Sequence, residues 1–134
     1  MSISGVEPVW VTPLRLARLN QKIVSLTGEP HRIRDAALLD SAVNAPRNLF
    51  HYEQERDILR LAIRLIRSVG ANHPFEQGNK RTAFNGAFAF MAVNKVVYFG
   101  QDTIELAQLV EGLILHQASE QDLFAFMAPD CLGR

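Results

Sequence analysis

Cysteine occurs once in these 134 residues, at Cys131, so no disulfide can form within the chain and packing must carry the fold. A lone thiol fits a reducing compartment. No apolar run approaches the roughly 20 residues needed to cross a bilayer. The start, Met1 to Glu7, lacks the basic-then-apolar order of a signal peptide. A soluble, cytoplasmic protein without a membrane partner is therefore expected. Excess charge is missing too: 14 basic residues balance 14 acidic ones, so no global field recruits nucleic acid, and direct nucleic-acid binding is not expected. There is no Gly-x-Gly-x-x-Gly and no Walker loop. His31, His51 and His116 are scattered without metal-binding spacing and read as structural or surface residues. Repeats and low-complexity segments are absent, and the length suits one domain over residues 1–134.

What is present is a succession of helix signals. Thr12-Pro13 opens a first helix, with Leu14, Ala17, Ile23 and Val24 as a rough stripe that stops at Gly28. Residues Glu29-Pro30-His31-Arg32-Ile33 are too polar and Pro-broken for a core element, and predict a loop or short hairpin. Asp35 caps a second helix, with Ala36, Leu38, Leu39, Ala42 and Val43 inward, ended by Pro46. A third, from about Glu53 to Asn72, carries Arg56, Arg60, Arg64 and Arg67 as one basic stripe. In a neutral chain that stripe reads as a solvated face paired with acidic residues. The fourth helix, about Asn79 to Asn94, is apolar nearly all round and belongs at the centre of a bundle. Val96 to Phe99 is β-prone. Leu106, Leu109, Val110, Leu113 and Ile114 mark a fifth helix, and Ser119 caps a sixth with Leu123, Phe124 and Phe126. The expected fold is all-α: a compact bundle of about six helices around a central apolar helix, with at most a small β-hairpin flap.

The densest chemistry lies in His73-Pro74-Phe75-Glu76-Gln77-Gly78-Asn79-Lys80-Arg81. Pro74 stops one helix and Gly78 makes a turn into the next, whose first N–H groups and dipole suit a phosphate. Lys80 and Arg81 sit at a helix start, uphill against the dipole unless an anion is present. Imidazole titrates near neutrality, so His73 qualifies as a general base. Phe75 reads as the anchor of the loop, and Asn79 as a helix cap, a phosphate donor, or both. Gly78 either lets a phosphate approach the backbone closely or simply makes the turn.

The run His-x-Phe-x-x-Gly-Asn-Lys-Arg resembles the central motif of the Fic/Doc family, and Lys80 leans toward its Doc, or death-on-curing, branch. Fic proteins proper usually carry Gly in place of Lys80 and a second Arg further on, where this chain has Phe84. Arg34 to Ala42, followed by Ala45-Pro46-Arg47-Asn48, looks like the family's upstream segment, and the likeness covers roughly residues 12 to 128. One departure bears on chemistry. Where the family has an acidic residue that holds the magnesium ion of the nucleotide, this chain has Gln77, with Glu76 beside it as a possible substitute.

The resemblance implies a toxin of a toxin–antitoxin pair that moves the γ-phosphoryl group of ATP to a hydroxyl of a translation protein such as elongation factor Tu. In that reading His73 takes the hydroxyl proton, and Gly78, Asn79, Lys80 and Arg81 bind the nucleotide phosphates. Gln77 or Glu76 contacts magnesium, and His31, Arg32, Ile33 and Arg34 form a flap that aligns the target peptide by main-chain pairing. Two alternatives stand beside it: a Fic-type AMP transferase, and a nucleotide-binding module weakened by Gln77. The family's inhibitory helix, Ser/Thr-x-x-x-Glu-Gly/Asn, finds its nearest match at Glu111-Gly112, but Ala107 replaces the hydroxyl residue. Inhibition is therefore expected from a separate antitoxin that folds into a groove.

Overall fold

A computed structural model describes residues 6–134. Six α-helices follow one another: α1 Pro13–Ser25, α2 Ala36–Glu53, α3 Ile58–Asn72, α4 Asn79–Val93, α5 Ile104–Ile114 and α6 Glu120–Met127. Two short strands, β1 Val97–Tyr98 and β2 Cys131–Leu132, pair antiparallel, with Val97 opposite Leu132. The all-α bundle is the one expected from the sequence. Among the described residues, no helix is long and apolar enough to cross a membrane.

Local chemistry accounts for most helix starts. Thr12, Asp35, Asp57, Thr103 and Ser119 each accept a hydrogen bond from a first-turn N–H. Ser119 also forms a reciprocal capping box with Asp122. Because Asp57 is a cap, α3 begins at Ile58, and Glu53 belongs to the end of α2.

Pro46 does not end α2, contrary to the sequence expectation; the helix runs seven residues beyond it, to Glu53. An interior proline removes one i→i−4 hydrogen bond and costs about 3 kcal/mol. Here the Ala42 carbonyl left without a partner accepts from the Ser68 hydroxyl of α3 at 2.7 Å. The break is thus repaired from the neighbouring helix, and buried Pro46 is retained at the α2–α3 contact.

The helix at the centre is α3 rather than α4. It touches α2, α4, α5 and α6, and Leu59, Leu61, Ala62, Ile63, Leu65, Ile66, Val69 and Gly70 are all buried. On α4, by contrast, Ala89, Ala92 and Val93 face solvent. Nor are the α3 arginines a solvated stripe. Arg64 forks onto Glu120 at 2.7 and 3.2 Å, Arg67 reaches the same carboxylate at 3.1 Å, and Arg60 lies 3.6 Å from the centre of the Phe124 ring. Arg60, Arg64 and Arg67 are where α6 docks, while Arg56 falls before α3 and lies over the Phe50 ring.

Candidate active site

The loop between α3 and α4 is held from both flanks. His73 caps α3 in the left-handed region, at φ 50°, which costs a non-glycine residue about 1–2 kcal/mol. Its N–H bonds to the Val69 carbonyl at 3.2 Å. Arg34 spans the two terminal carbonyls, donating from Nε to His73 at 2.8 Å and from a terminal nitrogen to Asn72 at 3.0 Å. The backbone of His73 is fixed while its imidazole stays exposed.

Phe75 plugs the loop into the core, only 1% exposed. Asn79, the first residue of α4, folds its amide back over Phe75. Oδ1 accepts from the Phe75 N–H at 2.9 Å, and Nδ2 donates to the Phe75 carbonyl at 2.8 Å. The same Nδ2 lies 3.4 Å from His73 Nδ1. Asn79 is therefore a clasp on the loop, and the N-cap position itself falls to Gly78. Gly78 has φ 75°, and a Cβ there would sit 2.9 Å from the Val24 side chain and 3.3 Å from Asn20 Nδ2. Both its conformation and its closeness to α1 demand glycine. The N–H groups of Gly78, Asn79, Lys80 and Arg81 have no backbone acceptor among the described residues.

The cations of the first turn already have anions. Lys80 bonds to Glu111 of α5 at 2.9 Å, and Arg81 bonds to Glu29 at 2.6 Å. Hydrogen bonds from Arg81 and Thr27 hold the Glu29 carboxyl below its usual range, and the bond from Lys80 does the same for Glu111. These carboxylates occupy the role that a phosphate would take, so the unfavourable placement against the dipole is answered within the fold.

A magnesium ion held by the protein does not fit these donors. Magnesium prefers charged oxygen, usually one or two carboxylates besides phosphate. Position 77 offers a neutral amide, and the Glu76 carboxylate lies 3.5 Å from Arg32. No group of three or more His, Cys, Asp or Glu converges among the described residues.

The flap residues do not fold into a hairpin of their own; they pair with the motif loop. The Arg34 N–H donates to Pro74 at 2.7 Å, and the Glu76 N–H donates to Arg32 at 2.9 Å, bracketing an antiparallel bridge between Ile33 and Phe75. The N–H and C=O of Ile33 then face the opposite edge, as alternation along a strand requires. They have no backbone partner among the described residues. His31 turns inward, its Nδ1 2.8 Å from Oδ1 of Asn20. The structure thus brings His73, Gly78, Asn79, Lys80, Arg81 and the flap together, with Arg34 spent on capping α3.

Asn20, Glu29 and Glu111 join the site from α1, the flap loop and α5. Asn20 was detectable: Leu16, Asn20 and Val24 recur every four residues, one line on one helix face, and all three are buried. Its polar type hid it from a reading of apolar periodicity.

The sequence is also similar to known proteins. Residues 10–91 match the profile of the Fic/DOC family. A protein named Toxin Doc from Mycolicibacterium smegmatis is 35% identical over 66 residues, which cover 48% of this chain and 51% of the relative. Protein kinase doc of Escherichia phage P1 is 28% identical over 102 residues, 76% of this chain and 79% of that protein. The family match contains the flap and the whole motif loop, and on these grounds the chain belongs to the Fic/Doc family, on its Doc-like side.

Proposed function

We propose that this protein is a Doc-like toxin that transfers the γ-phosphoryl group of ATP to a hydroxyl of a protein of the translation machinery, such as elongation factor Tu. The observation that carries the reading is a juxtaposition on one loop: exposed His73 lies 3.4 Å from Asn79, the first N–H groups of α4 have no backbone acceptor, and Ile33, with its outer edge unpaired, bridges to Phe75 between them. Phosphoryl transfer needs mostly positioning and charge neutralisation. The turn at Gly78 supplies backbone donors for the phosphates, and Lys80 and Arg81 exchange Glu111 and Glu29 for phosphate oxygens. A target segment extends along the Ile33 edge as an added strand. The exposed His73 imidazole accepts the target hydroxyl proton on its unprotonated ring nitrogen.

The names of the relatives, Toxin Doc and Protein kinase doc, support a toxin and a kinase-type chemistry; a separate antitoxin belongs to the proposal. Position 80 is the argument for γ-transfer over AMP transfer, since Lys in place of the Fic glycine crowds the nucleotide pose that delivers the α-phosphate. Incubation with a cell extract and ATP labelled separately at the α and γ positions is the test. Label from the γ position alone is expected; label from the α position alone gives the reaction to AMP transfer. Gln77 favours a second reading, a nucleotide-binding module without turnover, which predicts ATP binding and no label from either position.

A further inference from the structure

Asn20 stands outside the motif yet contacts both halves of the proposed site. It is 0% exposed, and a buried amide is costly unless its donors and acceptor are all paired. Nδ2 donates to the Gln77 carbonyl at 2.8 Å and to the Thr82 hydroxyl oxygen at 3.0 Å, while Oδ1 meets His31 Nδ1 at 2.8 Å. One side chain on α1 therefore grips the motif turn, the body of α4 and the flap at once. Since Oδ1 only accepts, Nδ1 of His31 must carry the proton.

The grip on Gln77 has a directional consequence. In a planar trans peptide the carbonyl and the following N–H point to opposite sides. With the Gln77 carbonyl drawn inward to Asn20, the Gly78 N–H is turned to the opposite side, away from Asn20. Without that grip, the left-handed glycine leaves the 77–78 peptide free to flip. The carbonyl would then take the side now held by the Gly78 N–H, and its negative end would oppose an incoming phosphate.

We infer that Asn20 is a positioning residue that locks the phosphate-facing turn and the target-facing flap into one unit, so that nucleotide affinity and target alignment rise and fall together. The inference rests on reading the Gly78 turn as the phosphate site. Three substitutions separate its arms. Asn20→Asp cannot donate to the Gln77 carbonyl, but still accepts from His31 and from the Thr82 hydroxyl. His31→Phe removes only the flap arm, and Thr82→Val removes only the arm to α4.

Each variant is measured for ATP affinity by calorimetry, for target labelling as separate KM and kcat, for melting temperature, and for hydrogen exchange at the Arg34 and Glu76 amides, both hydrogen bonded across the flap and motif loop. Asn20→Asp is expected to weaken ATP about tenfold and to speed exchange at both amides. His31→Phe should raise the KM for target and also weaken ATP several-fold. Thr82→Val should lower the melting temperature while ATP affinity stays within about twofold. If ATP affinity falls in Asn20→Asp and Thr82→Val alike, in proportion to lost stability, Asn20 is merely structural and the inference fails. It fails equally if His31→Phe alters target KM and leaves ATP affinity untouched. A parent protein that binds no ATP would sink the functional reading instead. The exchange rates then decide on Asn20: a selective rise in Asn20→Asp upholds the positioning role, and equal rises in Asn20→Asp and Thr82→Val end it.

Discussion

His73 meets solvent with its imidazole while its N–H and carbonyl are both hydrogen bonded, so changing the side chain disturbs little of the framework. His73→Ala is expected to abolish toxicity and to lower any transferase rate by about 10²–10⁴, with the melting temperature nearly unchanged. Growth assays at matched expression check this; undiminished toxicity would remove His73 from the chemistry. Gln77 is the complementary case. Its side chain has no polar partner among the described residues, and its carbonyl is already used by Asn20. Gln77→Asp adds a charged oxygen without disturbing that bond. ATP affinity measured with and without magnesium should show a larger metal dependence in the variant than in the parent. If Glu76 served as the metal ligand instead, Gln77→Asp would leave that dependence unaltered. Glu76→Gln would then reduce it.

The ion pairs between α6 and α3 converge on a single carboxylate, that of Glu120. Burial pushes the Glu120 carboxyl upward, but hydrogen bonds and charge from Arg64 and Arg67 outweigh it and leave the group below its usual range. The stabilisation this represents is fully present above the ordinary carboxylate pKa and is lost as pH falls through the lowered value in the fold. Solvent reaches the pair, with about a quarter of each of the Arg64 and Glu120 side chains exposed, so about 1 kcal/mol is a fair magnitude. Glu120→Gln should therefore lower the melting temperature near neutral pH, and the gap to the parent should close on acidification below the ordinary carboxylate range. A gap that stays constant down to strong acid would show that the ion pair contributes nothing. Helix positions and caps were legible in the chain because Thr12, Asp35 and Ser119 act on residues three positions away. The passage of α2 through Pro46 was not, since its repair comes from Ser68, 22 positions downstream.

Packing gathers these elements around one apolar core that draws on α1 through α6 and on Val96 before β1. Trp10 joins the N-terminal segment to that core, stacked on Phe90 at 5.7 Å and edge-on to Phe50 at 5.6 Å. As the only tryptophan, it reports on the meeting of this segment with α2 and α4. A single cooperative domain is expected to unfold with its tryptophan fluorescence and its helical circular dichroism changing together in urea. An earlier fluorescence transition would mean that the N-terminal segment detaches independently.

Residue order alone was enough for the helical class, the caps at Thr12, Asp35 and Ser119, the motif turn and the family, because each depends on interactions within about one helical turn or on a contiguous run of side chains. Folding decided which helix is central, what covers the arginines of α3, where the flap pairs, and which carboxylates face Lys80 and Arg81. Those outcomes join residues far apart in the chain, such as Glu29 with Arg81 and Asn20 with Gln77, separated by 52 and 57 positions. Periodicity marks the face a residue lies on and is silent about what meets that face. A buried amide such as Asn20 shows its purpose only when its three partners are brought to it.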